Sequence, residues 1–240
     1  MFTLYSADFT GNPGNCSYPH KTVVMNTDNL REAVCHDYVC AEYKNHYRNG
    51  ENFISADCLP VDCDNDHSED PKDWVTPADV LEAFPGVSIA IHYSRFNNRE
   101  KNGKPARPKF HVLFPIDRMT DATLYSDMKK LVNSIFPYFD TKALDAARFF
   151  FGTQEPNVEL YPGRMNLTEF LNDDEFDAGL PGGHEKDAVI PEGSRNAVMS
   201  RFAGIVIKKY GDSEKAYQSF LEKAATCVPP LDNNELSTIW

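Results

Sequence analysis

The sequence predicts an α+β fold followed by a small helical domain, and three observations support this prediction. Short apolar runs bounded by turn residues alternate with amphipathic patterns up to about residue 160. An acidic and glycine-rich stretch then occupies residues 168–188, and the pattern beyond it is helical as far as Trp240. A chain of 240 residues, 41% of them apolar, can bury a sizeable core. We therefore expect one domain over residues 1–185 and another over residues 186–240.

The N-terminal part predicts a short lead-in, a strand and a helix. The first twenty residues are rich in Gly, Asn and Pro and predict irregular structure, and residues 21–25 predict a strand. Asp28 is expected to cap a helix that continues to about Lys44. The apolar stripe of this helix would consist of Leu30, Val34, Tyr38 and Ala41.

An acidic stretch follows, and it is the strongest indication of a site. The apolar run 56–61 leads directly into Asp62 and Asp64. Side chains alternate along an extended strand, so both carboxylates should project from the same face. Two such carboxylates repel each other unless a cation lies between them, and hard oxygen ligands suit Mg²⁺ or Mn²⁺. This pattern predicts half of a metal-dependent phosphoryl-transfer site, with Asp57 and Asp66 as bystanders.

The middle of the chain predicts further strands and helices. Thr76 begins a helix that ends before Pro85. Strands are expected over residues 87–94 and 110–115, and an amphipathic helix over residues 121–135.

The C-terminal part predicts three helices. Two cover residues 196–210 and 213–227, and Asp232 with Glu235 resembles a capping arrangement that opens the third. Because the third helix has barely begun at Trp240, we expect the chain to be cut from a longer protein.

The charge distribution excludes some partners and favours others. A net charge of −12 argues against a protein that coats nucleic acid by bulk attraction. One loop between two predicted strands is nevertheless basic, so it is either a solvated loop or a phosphate-binding patch. Its basic residues are Arg95, Arg99, Lys101, Lys104, Arg107 and Lys109.

Two-metal phosphoryl transfer commonly needs about three carboxylates. Asp140, at the end of an aromatic run, is the predicted third ligand, and Asp145 is the reserve. His111 lies on a predicted strand and points either into a core or into a site. Arg148 could pair with either of the later carboxylates.

These elements, in this order, resemble the archaeo-eukaryotic primase superfamily and most closely the primase-polymerases of bacteriophages and mobile elements. The resemblance covers about residues 20–160. It is carried by Asp62 and Asp64, then by Lys109-Phe110-His111, then by Asp140 with Arg148 eight residues later.

The resemblance implies a catalytic fold with an RRM-like sheet plus an α/β unit, followed by a small helical domain. It implies nucleotidyl transfer by a primase or DNA polymerase that uses nucleoside triphosphates, a single-stranded DNA template and Mg²⁺ or Mn²⁺. It also implies a helicase domain or helicase partner, in the replication of a phage or mobile element in the cytoplasm of a bacterial host cell.

The resemblance also implies a role for individual residues. Asp62, Asp64 and Asp140 would hold the metals and, with His111, form the catalytic set. The residues that would bind nucleotide phosphates are Lys109, His111, Arg148, Ser94 and Arg95. The residues that would bind template are Arg99, Lys101, Lys104, Arg107 and Arg195. The family usually has Ser two positions before the His, where this chain has Lys109, and Ser94 could supply the missing hydroxyl.

Other functions remain open. One is a replication-associated nucleic-acid-binding module whose polymerase site is inactive. Another is a metal-dependent nuclease, although no Lys closely follows a strand carboxylate in the arrangement usual for nucleases. A structural zinc site at Cys35, His36 and Cys40 and an EF-hand beginning at Asp62 are disfavoured by the surrounding pattern. The chain has no apolar run of about 18 residues and no signal-peptide pattern, so we expect no membrane association.

Overall fold

The apolar runs of the sequence form antiparallel sheets, so the chain has a mixed α/β architecture. The computed structural model describes residues 1–101, 103–172, 190–192, 195–210 and 214–240. The chain divides into two units. The first comprises Met1–Asn133 with Tyr138–Glu169, and the second comprises Ser134–Pro137 with Phe170–Trp240. The predicted domain boundary at residue 185 lies outside the described residues, as does most of the predicted acidic linker.

The strands of the first unit are β1 (Phe2–Ser6), β2 (His20–Val24), β3 (Tyr38–Val39), β4 (Ala41–Tyr43), β5 (Phe53–Cys63), β6 (Ile89–Tyr93), β7 (Arg99–Lys101), β8 (Lys104–Arg107), β9 (Phe110–Met119), β10 (Phe149–Phe150) and β11 (Val158–Tyr161). Its helices are α1 (Thr27–Val34) and α2 (Pro77–Ala83), while α3 (Ala122–Ile135) and α4 (Leu167–Asn172) begin in it. In the part of the chain that the structure describes, no helix is long and apolar enough to cross a membrane.

The larger sheet has five antiparallel strands in the order β11-β6-β9-β5-β4. Its long central strands β5 and β9 are paired from Cys63 opposite Phe110 to Ala56 opposite Met119, with an irregularity near Cys58. Both strands are mostly buried because apolar residues occupy both faces. The predicted strands at 56–61, 87–94 and 110–115 all lie in this sheet.

The smaller sheet has four antiparallel strands in the order β10-β3-β1-β2, and it corrects the prediction of an irregular N-terminus. Phe2–Ser6 is a buried strand at the interior of this sheet, paired with β2 on one side and β3 on the other. The glycines and prolines that suggested irregular structure begin only after it, at Gly11.

The predicted helix from Asp28 to Lys44 is too long. Helix α1 ends at Val34, and its N-cap is Asn26, whose side chain accepts the Asn29 N–H. Tyr38 lies instead in β3, paired with Ser6 and Phe150 of the two neighbouring strands. Sheet pairing therefore overrides the helical spacing of the apolar residues after Val34.

Other predicted elements are present where the sequence places them. Helix α2 begins at Pro77, and Thr76 and Asp79 form a capping box. Helix α3 covers the predicted amphipathic segment. The basic loop is partly ordered as a hairpin, because β7 and β8 pair with Arg99 opposite Arg107.

The core of the first unit combines residues of both sheets with α1. Leu4 and Tyr38 come from the smaller sheet, and Cys58 and Leu113 come from the larger one. Phe150 of β10 stacks on Tyr38 with their ring centroids 5.6 Å apart. The ring of His111, near the start of β9, also lies against Phe150, with their ring centroids 4.7 Å apart.

The second unit contains the helices α5 (Arg195–Tyr210), α6 (Glu214–Ala224) and α7 (Asn233–Ile239) and the short parallel strands β12 (Ile190–Pro191) and β13 (Cys227–Val228). Met199 of α5 and Phe220 of α6 are fully buried in its core. Asp232 and Glu235 form the capping box that the sequence predicts for the last helix.

Candidate metal-binding site

The first two carboxylates lie at the end of β5. Asp62 is opposite His111 of β9 and is only 7% exposed, whereas Asp64 follows the strand and is half-buried. The chain then turns at Asn65, which has a φ of 52°. The side chain of Asn65 holds this turn, because it donates to the Val75 carbonyl and accepts the Val75 N–H. Pairing with β9 therefore holds Asp62, and the Asn65 side chain holds the turn that follows Asp64.

Asp140 is brought to this point from a different part of the chain. Its backbone N–H donates to the Asp62 carbonyl at 2.7 Å, and its side chain accepts the Lys142 N–H. Ligand oxygens of Asp62, Asp64 and Asp140 all lie within 4.8 Å of one another. Asp145, the reserve for the third ligand, is outside this group, and its side chain accepts the Ala147 N–H. The structure thus groups the three residues that the sequence singled out.

The cluster is electrostatically strained. Burial raises the pKa of Asp62 to about 7, and the neighbouring charges of Asp64 and Asp140 act in the same direction. Arg148 and Lys109 oppose this rise in pKa without cancelling it. The ionised cluster is therefore costly in the absence of a cation.

The donor set fits a divalent cation. Asp62 Oδ1 is buried and has no hydrogen-bond partner among the described residues. A buried carboxylate oxygen without a partner costs free energy, which a bound cation would recover. The three ligands offer only oxygen, the type that Mg²⁺ and Mn²⁺ prefer.

Two basic side chains border the cluster. Lys109 Nζ lies 3.0 Å from Asp64 Oδ1 and 2.9 Å from the Asp64 carbonyl oxygen, and its side chain is 5% exposed. Arg148 Nη2 lies 4.0 Å from Asp62 Oδ2, and its Nε is buried without a partner among the described residues. Lys109 is therefore an ion-pair partner of the second carboxylate.

The imidazole of His111 has its Nε2 on the side of Asp62 and its Nδ1 in the core, next to Tyr38. Its Nε2 is 3.7 Å from Asp62 Oδ1, which is too long for a hydrogen bond. Burial lowers the pKa of His111 to about 4, so the imidazole is neutral at pH 7. Its Nδ1 is 3.1 Å from Tyr38 Oη. His111 thus faces both the site and the core, which the sequence gave as alternatives.

The predicted template-binding residues of the basic loop have contrasting environments. Arg99 and Lys104 are exposed, and Lys104 pairs with Asp66 at 3.2 Å. The Arg107 side chain is fully buried, and it donates to the Asn65 carbonyl at 2.7 Å. The side chain of Lys101 lies outside the described residues.

The remaining predicted residues lie near the ends of their elements. The Ser94 hydroxyl accepts the Phe96 N–H, so it caps a turn. The Arg95 guanidinium stacks on the Phe151 ring, 4.1 Å from its centroid. In the second unit, Arg195 donates to the Pro229 carbonyl at 2.6 Å and also contacts Pro230 and Glu235.

Sequence reasoning missed two residues that contact His111. The sequence pattern assigns Tyr38 to a helix and His92 to a strand, and it predicts no contact of either with His111. The pairing of β6 with β9 sets His92 directly opposite His111. The sequence does place one His in each of two consecutive predicted strands. Only the register of β6 against β9 shows that the two residues lie opposite each other.

Comparisons with known proteins give one distant likeness. No family model matches the chain, and no curated protein matches it either. Among solved structures, the chain is similar to the AEP domain of the primase-polymerase of cyanophage S-2L. The two share 13% sequence identity and a TM-score of 0.38, over 68% of this chain and 81% of the other. A likeness this distant does not assign a function to the chain.

Proposed function

We propose that this chain is a metal-dependent nucleotidyltransferase that joins nucleotides from nucleoside triphosphates on a single-stranded DNA template. The observation that carries the proposal is the grouping of Asp62, Asp64 and Asp140 around a buried carboxylate oxygen without a described partner. Three convergent carboxylates are the ligand set that two-metal phosphoryl transfer needs. The resemblance of the sequence motifs to phage primase-polymerases supports the same reaction.

In this proposal the carboxylates hold Mg²⁺ or Mn²⁺. When bound, these ions would activate the attacking 3′-hydroxyl and stabilise the departing pyrophosphate. The backbone bond from Asp140 to the Asp62 carbonyl keeps the third ligand at a fixed distance from the first. A backbone hydrogen bond, and not only a side-chain contact, therefore ties Asp140 to the end of β5.

The nucleotide phosphates would contact the basic side chains that border the cluster. Arg148 can approach them with its unpartnered Nε, and a guanidinium suits bidentate contacts to phosphate. Lys109 could exchange its bond to Asp64 for a phosphate oxygen. His111 would donate from Nε2, and Arg95 and Ser94 would lie farther along the same sheet edge.

The template would contact the basic hairpin formed by β7 and β8. Arg99, Lys101 and Lys104 are the proposed phosphate contacts. Arg107 and Arg195 use their guanidinium groups within the protein, so we now propose that they stabilise the loop and the second unit. A helicase domain or helicase partner in phage replication is proposed on the sequence resemblance alone.

Asp140→Asn and Asp145→Asn provide a matched test. Both remove one negative charge from the same segment, but only Asp140 belongs to the cluster. We expect Asp140→Asn to lower incorporation of labelled nucleotides on a primed single-stranded template by on the order of 100-fold, and Asp145→Asn to leave it nearly unchanged. Equal activity of both variants and the wild type would exclude the proposed site.

A second candidate function has one specific observation in its favour. The Lys109 ammonium already neutralises part of the cluster, so the carboxylates could serve a structural role in a nucleic-acid-binding module without polymerase activity. In that case single-stranded DNA would bind, but neither incorporation nor metal binding would be detected. Release of nucleotides from labelled DNA without incorporation would instead support the nuclease alternative.

A further inference from the structure

Three polar groups meet in the core directly behind the carboxylate cluster. Tyr38 Oη lies 3.1 Å from Nδ1 of His92 and 3.1 Å from Nδ1 of His111, and the two Nδ1 atoms are 3.3 Å apart. All three residues are buried. At the outer ends of this group, His92 Nε2 is 3.2 Å from Thr153 Oγ1, and His111 Nε2 is 3.7 Å from Asp62 Oδ1.

The number of protons that this triangle can hold is limited. If both Nδ1 atoms carried a proton, both would point at Tyr38 Oη, and the phenol proton would lack an acceptor within the triangle. If neither did, one Nδ1 lone pair would lack a donor. Every buried group is satisfied only when one Nδ1 is protonated, the other accepts, and the phenol links them. The two histidines therefore hold opposite tautomers.

The two possible directions of this chain differ at its outer ends. In one direction Tyr38 donates to His111 Nδ1, so the His111 proton lies on Nε2 and faces Asp62. In the other direction His111 presents a lone pair to the Asp62 carboxylate, which is electrostatically unfavourable when Asp62 is ionised. Thr153 is neutral to the choice, because its hydroxyl can either donate to His92 Nε2 or accept from it.

We propose that Tyr38 and His92 are positioning residues that fix His111 in the tautomer protonated on Nε2, so that an N–H donor faces the carboxylate cluster. This inference rests on the proposed function, in which that donor meets a nucleotide phosphate. It also explains why His111 lies beside the cluster without being a ligand. The opposite tautomer would present a lone pair that could bind the metal ion.

The direct test is the ¹⁵N NMR spectrum of the imidazole nitrogens in the 240-residue chain, recorded without metal or nucleotide at about pH 8.5, where the Asp62 carboxyl, with its pKa of about 7, is ionised. We expect His111 to show a protonated Nε2 and an unprotonated Nδ1, and His92 to show the reverse. A protonated Nδ1 on His111, or two protonated nitrogens on it, would overturn the inference. This readout does not depend on activity, so the failure of the proposed function would be seen separately as absent incorporation by the wild type.

Tyr38→Phe tests the link, and Tyr125→Phe is its matched control. Tyr125 also buries its hydroxyl, which donates to the Cys58 carbonyl at 2.7 Å instead of to a histidine. In Tyr38→Phe we expect the His111 Nδ1 signal to shift, the second tautomer to become detectable, and the KM for nucleoside triphosphates to rise about threefold to tenfold with little change in kcat. Tyr125→Phe should change none of these.

Unchanged His111 signals in Tyr38→Phe would show that Tyr38 does not fix the tautomer and would overturn the inference. If that variant fails to fold, the wild-type spectrum still decides which nitrogen carries the proton. A third comparison uses His111→Gln and His111→Asn, whose amides replace Nε2–H and Nδ1–H respectively. We expect Gln to retain about tenfold more activity than Asn, and the reverse order would contradict the assignment.

Discussion

Asp37 and Asp62 are two buried carboxylates of the same unit with opposite surroundings. Asp37 is fully buried, and its oxygens accept the backbone N–H groups of Gly11, Asn12 and Gly152 at 2.8–2.9 Å. Asp62 is almost as buried, but its Oδ1 has no described hydrogen-bond partner and two further carboxylates lie next to it. The fold provides hydrogen-bond donors to both oxygens of Asp37, whereas it provides none to Oδ1 of Asp62 among the described residues.

The difference separates a structural carboxylate from a candidate ligand. Asp37 ties the N-terminal loop to the segment after β10, where Gly152 packs so closely on His36 that a Cβ atom would lie 2.2 Å from its backbone. Both carboxylate oxygens of Asp37 therefore accept hydrogen bonds from the backbone. At Asp62 the fold leaves one buried oxygen without a described hydrogen-bond partner, next to two further carboxylates. A bound cation could recover the free energy that this arrangement costs.

The largest expected effects are opposite for Asp62 and Asp37: one substitution should lower activity, and the other should lower stability. Asp62→Asn should lower nucleotide incorporation by on the order of 100-fold or more but leave the free energy of unfolding unchanged or higher, because it removes repulsion within the cluster. Asp37→Ala should lower the free energy of unfolding by about 2–4 kcal/mol, because three backbone N–H groups, of which that of Gly152 is buried, lose their acceptor. Urea denaturation and the incorporation assay measure both quantities.

The comparison would fail if the two variants behaved alike. A strongly destabilised Asp62→Asn would mean that its carboxylate is satisfied in the folded chain. An Asp37→Ala variant of normal stability would mean that the loop does not depend on its hydrogen bonds.

A second prediction concerns pH. The pKa of Asp62 is raised to about 7 in the folded chain from an ordinary value of 3.8. Between these values the folded chain keeps a proton that the unfolded chain has released, so the free energy of unfolding should fall as the pH rises from about 4 to 7. We expect a loss of roughly 2–4 kcal/mol, measured by urea denaturation.

Divalent cation and substitution should both remove this slope. Mn²⁺ favours the ionised cluster, so at a concentration 100 times its Kd it should restore about 2.7 kcal/mol at pH 7.5 and bind more weakly at pH 5. Asp62→Asn should show no decrease from this source. A stability that rises over the same pH range in the wild type would contradict the assigned pKa direction.

The sequence was sufficient to select three carboxylates that the structure brings together, because the end of an apolar strand and an Asp after an aromatic run are local signals. It was also sufficient for most strands of the larger sheet. It could not predict the role of Tyr38, since the apolar stripe after Asp28 continues a helical period until sheet pairing interrupts it. Nor could it identify His92, whose contact with His111 exists only in one register of β6 against β9.

Lys109 provides a positive charge that partly compensates the negative charges of Asp62 and Asp64. Lys109→Gln removes the ammonium 3.0 Å from Asp64 Oδ1. We expect the KM for nucleoside triphosphates to rise about tenfold, since a charged phosphate contact is lost, and the folded chain to depend more strongly on Mn²⁺. Lys109→Arg should behave more like the wild type. An unchanged KM would assign Lys109 a purely structural role.

The smallest expected effect concerns the basic hairpin, where an exposed and a buried cation can be compared. Lys104 is exposed, whereas the Arg107 side chain is fully buried against the protein. Lys104→Gln should reduce the salt dependence of single-stranded DNA binding by about 0.7 in the slope of log K against log salt. The control Lys72→Gln, at another exposed Lys, should leave the slope unchanged. Equal slopes for both variants would remove the hairpin from the template surface.

The central claim is that Asp62, Asp64 and Asp140 together hold a divalent cation. Titration of the 240-residue chain with Mn²⁺, followed by electron paramagnetic resonance of the free ion, tests it without any assumption about the reaction. We predict saturable binding by the wild type and by Asp145→Asn, and its loss in Asp62→Asn and Asp140→Asn. Equal binding by all four proteins, or none by the wild type, would contradict the claim.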